Sequence, residues 1–400
     1  MSSHADIREV SRLDKAPVLA LGFRPFYLLA AIFAVIALPV WIGSYLGTWA
    51  VQGEMTGLVW HMHEMVFGFA PAVMAGFLLT AVRNWTGLPT STGSALAALA
   101  ALWIAGRVLI FTGPMPVAAV IDMMFLPALG AAIAVPIWHS RNTRNFKVLA
   151  IVAALTLING LFHLGNLGVL TSTMLTTAPV LALDVIAILL AVMAGRVIPA
   201  FTNNAIQGAN AHCDVRLDVV AIGSLILIVF LEISSAWWQI PRYVWISVLG
   251  VAALSHAVRL ALWAPQRTIR QPLLFMLPVA YAWLPIALAL GVLAHLGAVP
   301  RAIPVHALTI GAMSGLMMAM MMRSALGHSG RGLSAGWAEI AAFVALQLAA
   351  LVRVLATLLV PGFYRNAVIA SGVLWTLAFI VFVIAYWPVL TRPRIDGRPG

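Results

Sequence analysis

The stretch Trp60-His61-Met62-His63-Glu64-Met65 sets two imidazoles and a carboxylate at the head of an apolar run that continues to Val82. Imidazole is a common ligand for haem iron and copper. An ionisable group at membrane depth is costly enough to be a functional candidate by default. On a helix turning about 100° per residue, His61 and His63 point to nearly opposite faces, so they cannot both be axial ligands of one iron. His61 shares its face with Glu64 or Met65, then Gly68, Ala72 and Gly76. That small-residue stripe permits close approach of a helix or of a flat macrocycle. Glu64 is placed to orient a histidine or to relay protons. The plainer alternative is a histidine pair that anchors a helix end among lipid headgroups.

The elements that carry these residues follow from composition. The chain has 400 residues, 62% hydrophobic and 9% charged, where a soluble domain carries about 25% charged residues. It reads as an all-α polytopic membrane protein forming a single integral membrane domain over 1–400. Apolar stretches of spanning length, roughly 18–25 residues, fall near 25–47, 58–82, 94–113, 117–138, 146–168, 174–202, 217–236, 243–263, 272–297, 301–325, 335–360 and 366–388. These make twelve transmembrane helices. No cleavable signal peptide is evident. The single cysteine, Cys213, excludes an internal disulfide and any cysteine-only iron–sulfur or zinc site. There is no P-loop, no dinucleotide-binding glycine motif and no Ser/His/Asp arrangement.

The net charge of +11 would suit nucleic acid, but the basic residues follow membrane topology instead. With the N-terminus in the cytoplasm, Arg8, Arg12, Lys15 and most other basic residues outside the spans fall on the cytoplasmic side. Only Arg242, Arg301 and Arg365 fall opposite. Both termini are then cytoplasmic. His61, His63, His163, His295 and His306 share the outer depth, while His139, His256 and His328 lie toward the cytoplasm with His4 and His212.

Echoes along the chain suggest three pseudo-repeats of four helices, about 25–138, 146–263 and 272–388. Tyr45-Leu46-Gly47, His163-Leu164-Gly165 and His295-Leu296-Gly297 end the first, fifth and ninth spans. Arg107-Val108-Leu109 in the third span matches Arg353-Val354-Leu355 in the eleventh.

Other candidates sort by chemistry. His306 continues along one helix face through Met313, Met317 and Met320, a set that suits copper(I), although methionines in an apolar helix are usually packing. His163 and His295, at equivalent repeat positions, are each a metal ligand or an interhelical hydrogen-bonding group. Gly195 to Asn204 is expected to break the sixth span at Pro199. Its Arg196, with Arg323 and His328 of the tenth span, offers a basic site for haem propionates or an anionic substrate, or simply positive-inside anchoring. Arg107, Asp184, Glu232 and Arg353 lie deep in spans, where Arg–carboxylate pairing between helices is the economical expectation.

With these residues assembled, the chain resembles the NnrS family. The resemblance runs from Gly22-Phe23-Arg24-Pro25-Phe26 to the last span. It is carried by His61-Met62-His63-Glu64-Met65, by Ala75 to Val82 with Asn84-Trp85-Thr86-Gly87, by Gly195-Arg196-Val197-Ile198-Pro199, and by His306-Ala307-Leu308-Thr309 with Gly327-His328-Ser329-Gly330-Arg331. It implies a bacterial inner-membrane protein carrying haem and copper and linked to nitric oxide and denitrification stress. It does not bring an agreed reaction or ligand set. The architecture is also similar to the catalytic subunit of haem–copper oxidases and nitric oxide reductases, whose low-spin haem hangs between histidines of the second and tenth helices. Here the sixth and seventh spans carry no histidine, so the three-histidine copper site of those enzymes is missing.

The expectation is a haem b and copper protein that binds or converts nitric oxide and protects against nitrosative stress. His61, His63 and His306 are the first ligands, followed by His163 and then His295. Glu64 is a supporting or proton-donating group, and a quinol or cytochrome would donate electrons to any oxidoreductase activity. A membrane transporter and a non-catalytic haem or copper sensor or chaperone are the rival classes.

Overall fold

The computed structural model describes residues 13, 16–51, 53–141 and 143–398. His4, Arg8, Arg12 and Lys15 therefore lie outside the described residues. Twelve helices are long and apolar enough to cross a membrane. They are α1 (Phe23–Tyr45), α2 (Gly57–Thr86), α3 (Gly93–Thr112), α4 (Met115–His139), α5 (Thr143–Asn166), α6 (Met174–Ala205), α7 (Val215–Ser234), α8 (Arg242–Leu262), α9 (Pro272–His295), α10 (Ala302–His328), α11 (Trp337–Leu359) and α12 (Tyr364–Thr391). No strand occurs among the described residues. This is what lipid dictates: backbone groups with no water to meet must be satisfied within each helix.

The bundle is organised around α2. Of the residues in its most apolar stretch 89% are buried, against 33% in α7 and α8, so α2 is enclosed while α7 and α8 face lipid. Helices α6 and α10 pack against α2 and against each other, and α1 closes the bundle against α12. Arg24 fastens that closure. It is fully buried, and its Nη1 donates to the carbonyls of Val389, Leu390 and Arg392 at the end of α12. A guanidinium is well suited to the unsatisfied carbonyls of a helix C-terminus.

Local chemistry sets the helix ends. Thr56 caps α2 by accepting from the Val59 N–H, and Asp214 caps α7 by accepting from the Leu217 N–H at 2.8 Å. Gly47 and Gly297 end α1 and α9 with φ of +75° and +81°, the left-handed conformation glycine adopts at no steric cost. Helix α5 ends in the same conformation at Gly168, with φ of +72°, while Gly165 lies within the helix against Met174 of α6.

Two expectations are corrected here. Helix α6 does not break at Pro199 but runs on to Ala205. The carbonyl that proline leaves without a donor, Gly195 O, accepts from the Cys213 thiol at 3.4 Å. Regular α-geometry also fails where it was assumed. The backbone is π-helical over Glu64–Phe69 in α2, Ala307–Ser314 in α10 and Val352–Ala356 in α11. Ser314 Oγ donates to Thr309 O five residues back, at 2.7 Å. Such wide turns are rare and concentrate at functional sites.

Candidate metal and cofactor sites at the histidine end

The three π-helical segments converge. Residues from each line one cavity of about 420 Å³ at the end of the bundle where α2 and α10 begin. His61, Met65 and Val66 come from α2, His306 to Ser314 from α10, and Arg353 from α11. The size falls in the range of ligand pockets, roughly 300–1,000 Å³, and most of the lining is apolar.

His61 and His306 both line this cavity. His61 stacks on Trp41 of α1, with ring centroids 4.1 Å apart and planes 20° apart. Its Nδ1 is buried without a hydrogen-bond partner, an uncompensated group that a buried site does not normally tolerate. His306 Nδ1 lies 2.6 Å from Ala302 O. A carbonyl can only accept, so Nδ1 carries the proton and Nε2 keeps a free lone pair, the arrangement of a metal-ready imidazole. Arg353 also lines the cavity. Its partners are neutral: Nη1 donates to Thr357 Oγ1 at 3.0 Å and Nη2 to the Tyr364 hydroxyl at 3.1 Å. The expected carboxylate pairing of Arg353 is therefore absent among the described residues, and its charge is left for the cavity.

On the opposite face of α2 lies a second, closed centre. His63 and Glu64 are fully buried, with Asp122 of α4, Asn159 and His163 of α5 and Arg107 of α3 around them. His63 Nδ1 is 2.9 Å from Glu64 Oε1, and His63 Nε2 is 3.4 Å from Asp122 Oδ2. His163 Nε2 is 2.8 Å from the same Asp122 oxygen, which also accepts from Asn159 Nδ2 at 2.8 Å. Arg107 Nη1 bonds Glu64 Oε1 at 2.6 Å, and its Nη2 bonds Asp122 Oδ1. Ligand atoms of His63, Asp122 and His163 lie within 4.8 Å of one another. Two carboxylates face one guanidinium, so with neutral imidazoles the cluster carries one negative charge in surroundings that penalise it. Glu64 Oε2, Arg107 Nε and His163 Nδ1 have no partner. Two imidazoles and a carboxylate suit a first-row transition ion such as copper(II), iron(II) or zinc.

The structure thus separates the predicted residues. His61 and His306 share one cavity. His63, Glu64 and His163 share the closed centre. Glu64 lies with His63 and Arg107 rather than on the His61 face. The small-residue stripe meets protein and not open space: a Cβ on Gly68 would lie 2.7 Å from Arg107 Nη1, and one on Gly76 the same distance from Tyr27. His295 stacks on Trp245, centroids 5.1 Å apart, and lines neither site. Arg196, Arg323 and His328 line a different cavity at the other end. Sequence reasoning missed Asp122 and Asn159. Both had a signal: Asp122 is an acid within a spanning stretch, and Asn159 sits one turn before His163.

No curated protein matches the chain. A family model described as "NnrS protein" matches residues 17–394, nearly the whole length. The chain belongs to the NnrS family.

Proposed function

We propose that this is a haem b and copper protein of the bacterial inner membrane that binds or converts nitric oxide and limits nitrosative stress. The observation that carries the reading is the pair His61 and His306, presented by two helices to one largely apolar cavity. The donor set fits haem: a buried orphan Nδ1 on His61, a free Nε2 on His306, and Arg301, Arg353 and Tyr364 at the lining to meet propionates. Haem iron supplies a site for diatomic ligands and one-electron chemistry. Trp41 fixes the plane of the His61 ring, and the Ala302 carbonyl fixes the His306 tautomer. Arg353 holds positive charge beside the cavity without spending it on a protein carboxylate.

Copper fits the closed centre, where His63, Asp122 and His163 would hold it. Glu64 and Arg107 set the charge there, and Asn159 steers the Asp122 oxygen. Should His61 and His306 both hold the haem, nitric oxide would bind at this second centre. The cavities then face the periplasm, both termini face the cytoplasm, and a quinol or cytochrome delivers electrons.

The test is nitric oxide consumption by purified protein in lipid nanodiscs with a reductant. Repeated turnover supports an oxidoreductase. Uptake that stops at one equivalent per site supports a sensor. No uptake by metal-loaded protein rules the reading out.

A further inference from the structure

A second cavity, of about 430 Å³, lies at the arginine-rich end of α2, α6 and α10. Its chemistry differs from that of the histidine end. Arg323 of α10 is only 9% exposed, and its guanidinium sits 4.2 Å from the centroid of the Phe201 ring. Among the described residues it has no carboxylate partner, and it lines the cavity. His328 lines the same space, packed against Phe23 with centroids 5.8 Å apart. Arg196 adds a second positive charge. It is held in place by Asn145 Oδ1 at 3.0 Å and Arg144 O at 3.1 Å. No Asp or Glu lines this cavity.

An arginine this buried in a membrane bundle, with no carboxylate beside it among the described residues, is costly. No carboxylate among the described residues neutralises it, so an anion taken up from outside the chain would supply the counter-charge. The cavity also says what that anion is attached to. A smaller void of about 70 Å³ adjoins it, sharing Tyr27, Phe77, Met193, Val197 and Met320. That void presents no polar surface, and the one hydroxyl near it, Tyr27, is spent on Ser324 Oγ at 3.1 Å. It reaches along the three helices toward the middle of the bundle. A free inorganic anion would gain nothing there. An apolar body would.

We propose that the arginine-end cavity binds an anionic amphiphile, its head on Arg323 and His328 and its apolar body in the methionine-lined neck. This site is separate from the histidine end and does not depend on the haem reading.

The test uses cis-parinaric acid, whose fluorescence rises in apolar sites, with full-length protein in phosphatidylcholine nanodiscs. The acid is expected to bind saturably, and its uncharged methyl ester about tenfold or more weaker, the loss of one charge-assisted contact. Arg323→Gln should reduce the acid to the level of the ester. Met193→Trp, which keeps the charge and fills the neck, should weaken acid and ester together. Retention of the wild-type melting temperature in both variants certifies their fold. Equal binding of acid and ester, or wild-type binding by Arg323→Gln, overturns the proposal. Adding phosphatidylglycerol to the discs distinguishes the source of the anion: displacement of the probe identifies a lipid headgroup, and retention identifies a free carboxylate.

Discussion

His163 Nε2 lies 2.8 Å from Asp122 Oδ2, while the other oxygen of that carboxylate is held by Arg107. One side chain on α4 thus joins an imidazole from α5 to a guanidinium from α3, and both to His63 on α2. Four helices converge on this carboxylate, and with neutral imidazoles the cluster keeps one negative charge beyond what Arg107 neutralises.

That imbalance predicts stabilisation by metal. A divalent ion at about 100 times its Kd should stabilise the folded protein by about 2.7 kcal/mol. Thermal unfolding with copper(II), zinc or iron(II) reads the shift. Asp122→Asn, which removes one ligand and the excess charge, should abolish it. A wild-type melting temperature that no ion moves would show that the cluster is not a metal centre.

Arg107 and Arg353 are both buried arginines, and they should respond differently to Leu. Arg107→Leu leaves Glu64 and Asp122 buried without their cation, at a cost of about 3–5 kcal/mol. Arg353→Leu loses only bonds to neutral Thr357 and Tyr364, about 1–3 kcal/mol in total. Denaturant unfolding of the two variants side by side measures the ordering. Equal costs would contradict the charge account.

Gly68 is a packing test of the same centre. An added Cβ would lie 2.7 Å from Arg107 Nη1 and 3.1 Å from Glu64 Oε2, so Gly68→Ala must push the guanidinium aside. Destabilisation of about 1–3 kcal/mol is expected, with weaker metal binding. Gly223→Ala on α7, where no atom lies within 4 Å, serves as the control and should be neutral or mildly stabilising.

Cys213 tests both reactivity and orientation. Burial pushes its thiol up, with the Asp218 carboxylate adding to the effect. Only the thiolate reacts, so alkylation by iodoacetamide should be slow near neutrality and keep rising through the usual thiol range. A rate that levels off below pH 8 would contradict this. A membrane-impermeant maleimide should label Cys213 in inside-out vesicles and not in spheroplasts, if the arginine-rich end faces the cytoplasm.

The fold was largely legible because lipid leaves so few options. Twelve apolar runs gave twelve helices, and the 100° spacing of His61 and His63 correctly placed them on separate faces. What was hidden depends on distance in three dimensions. Asp122 is an ordinary intramembrane acid until α4 packs against α2 and brings it to His63 and His163. The π-helical turns were invisible for a related reason. Glu64 bonds Arg107 rather than lying along the His61 stripe, and the widened backbone that follows it over Glu64–Phe69 leaves no mark in the residue pattern. At Pro199, as at Pro39 in α1 and Pro278 in α9, the helix-breaking rule gives way inside the bundle, and the carbonyl freed at Gly195 meets the Cys213 thiol, which no local pattern records.

The central claim is that α2 serves two sites from opposite faces. Haem and metal content measured together on His61→Ala and His63→Ala tests it most directly. His61→Ala should lose haem absorbance and keep the transition metal, and His63→Ala should keep haem and lose the metal. Loss of both groups in each variant, or of neither, would contradict it.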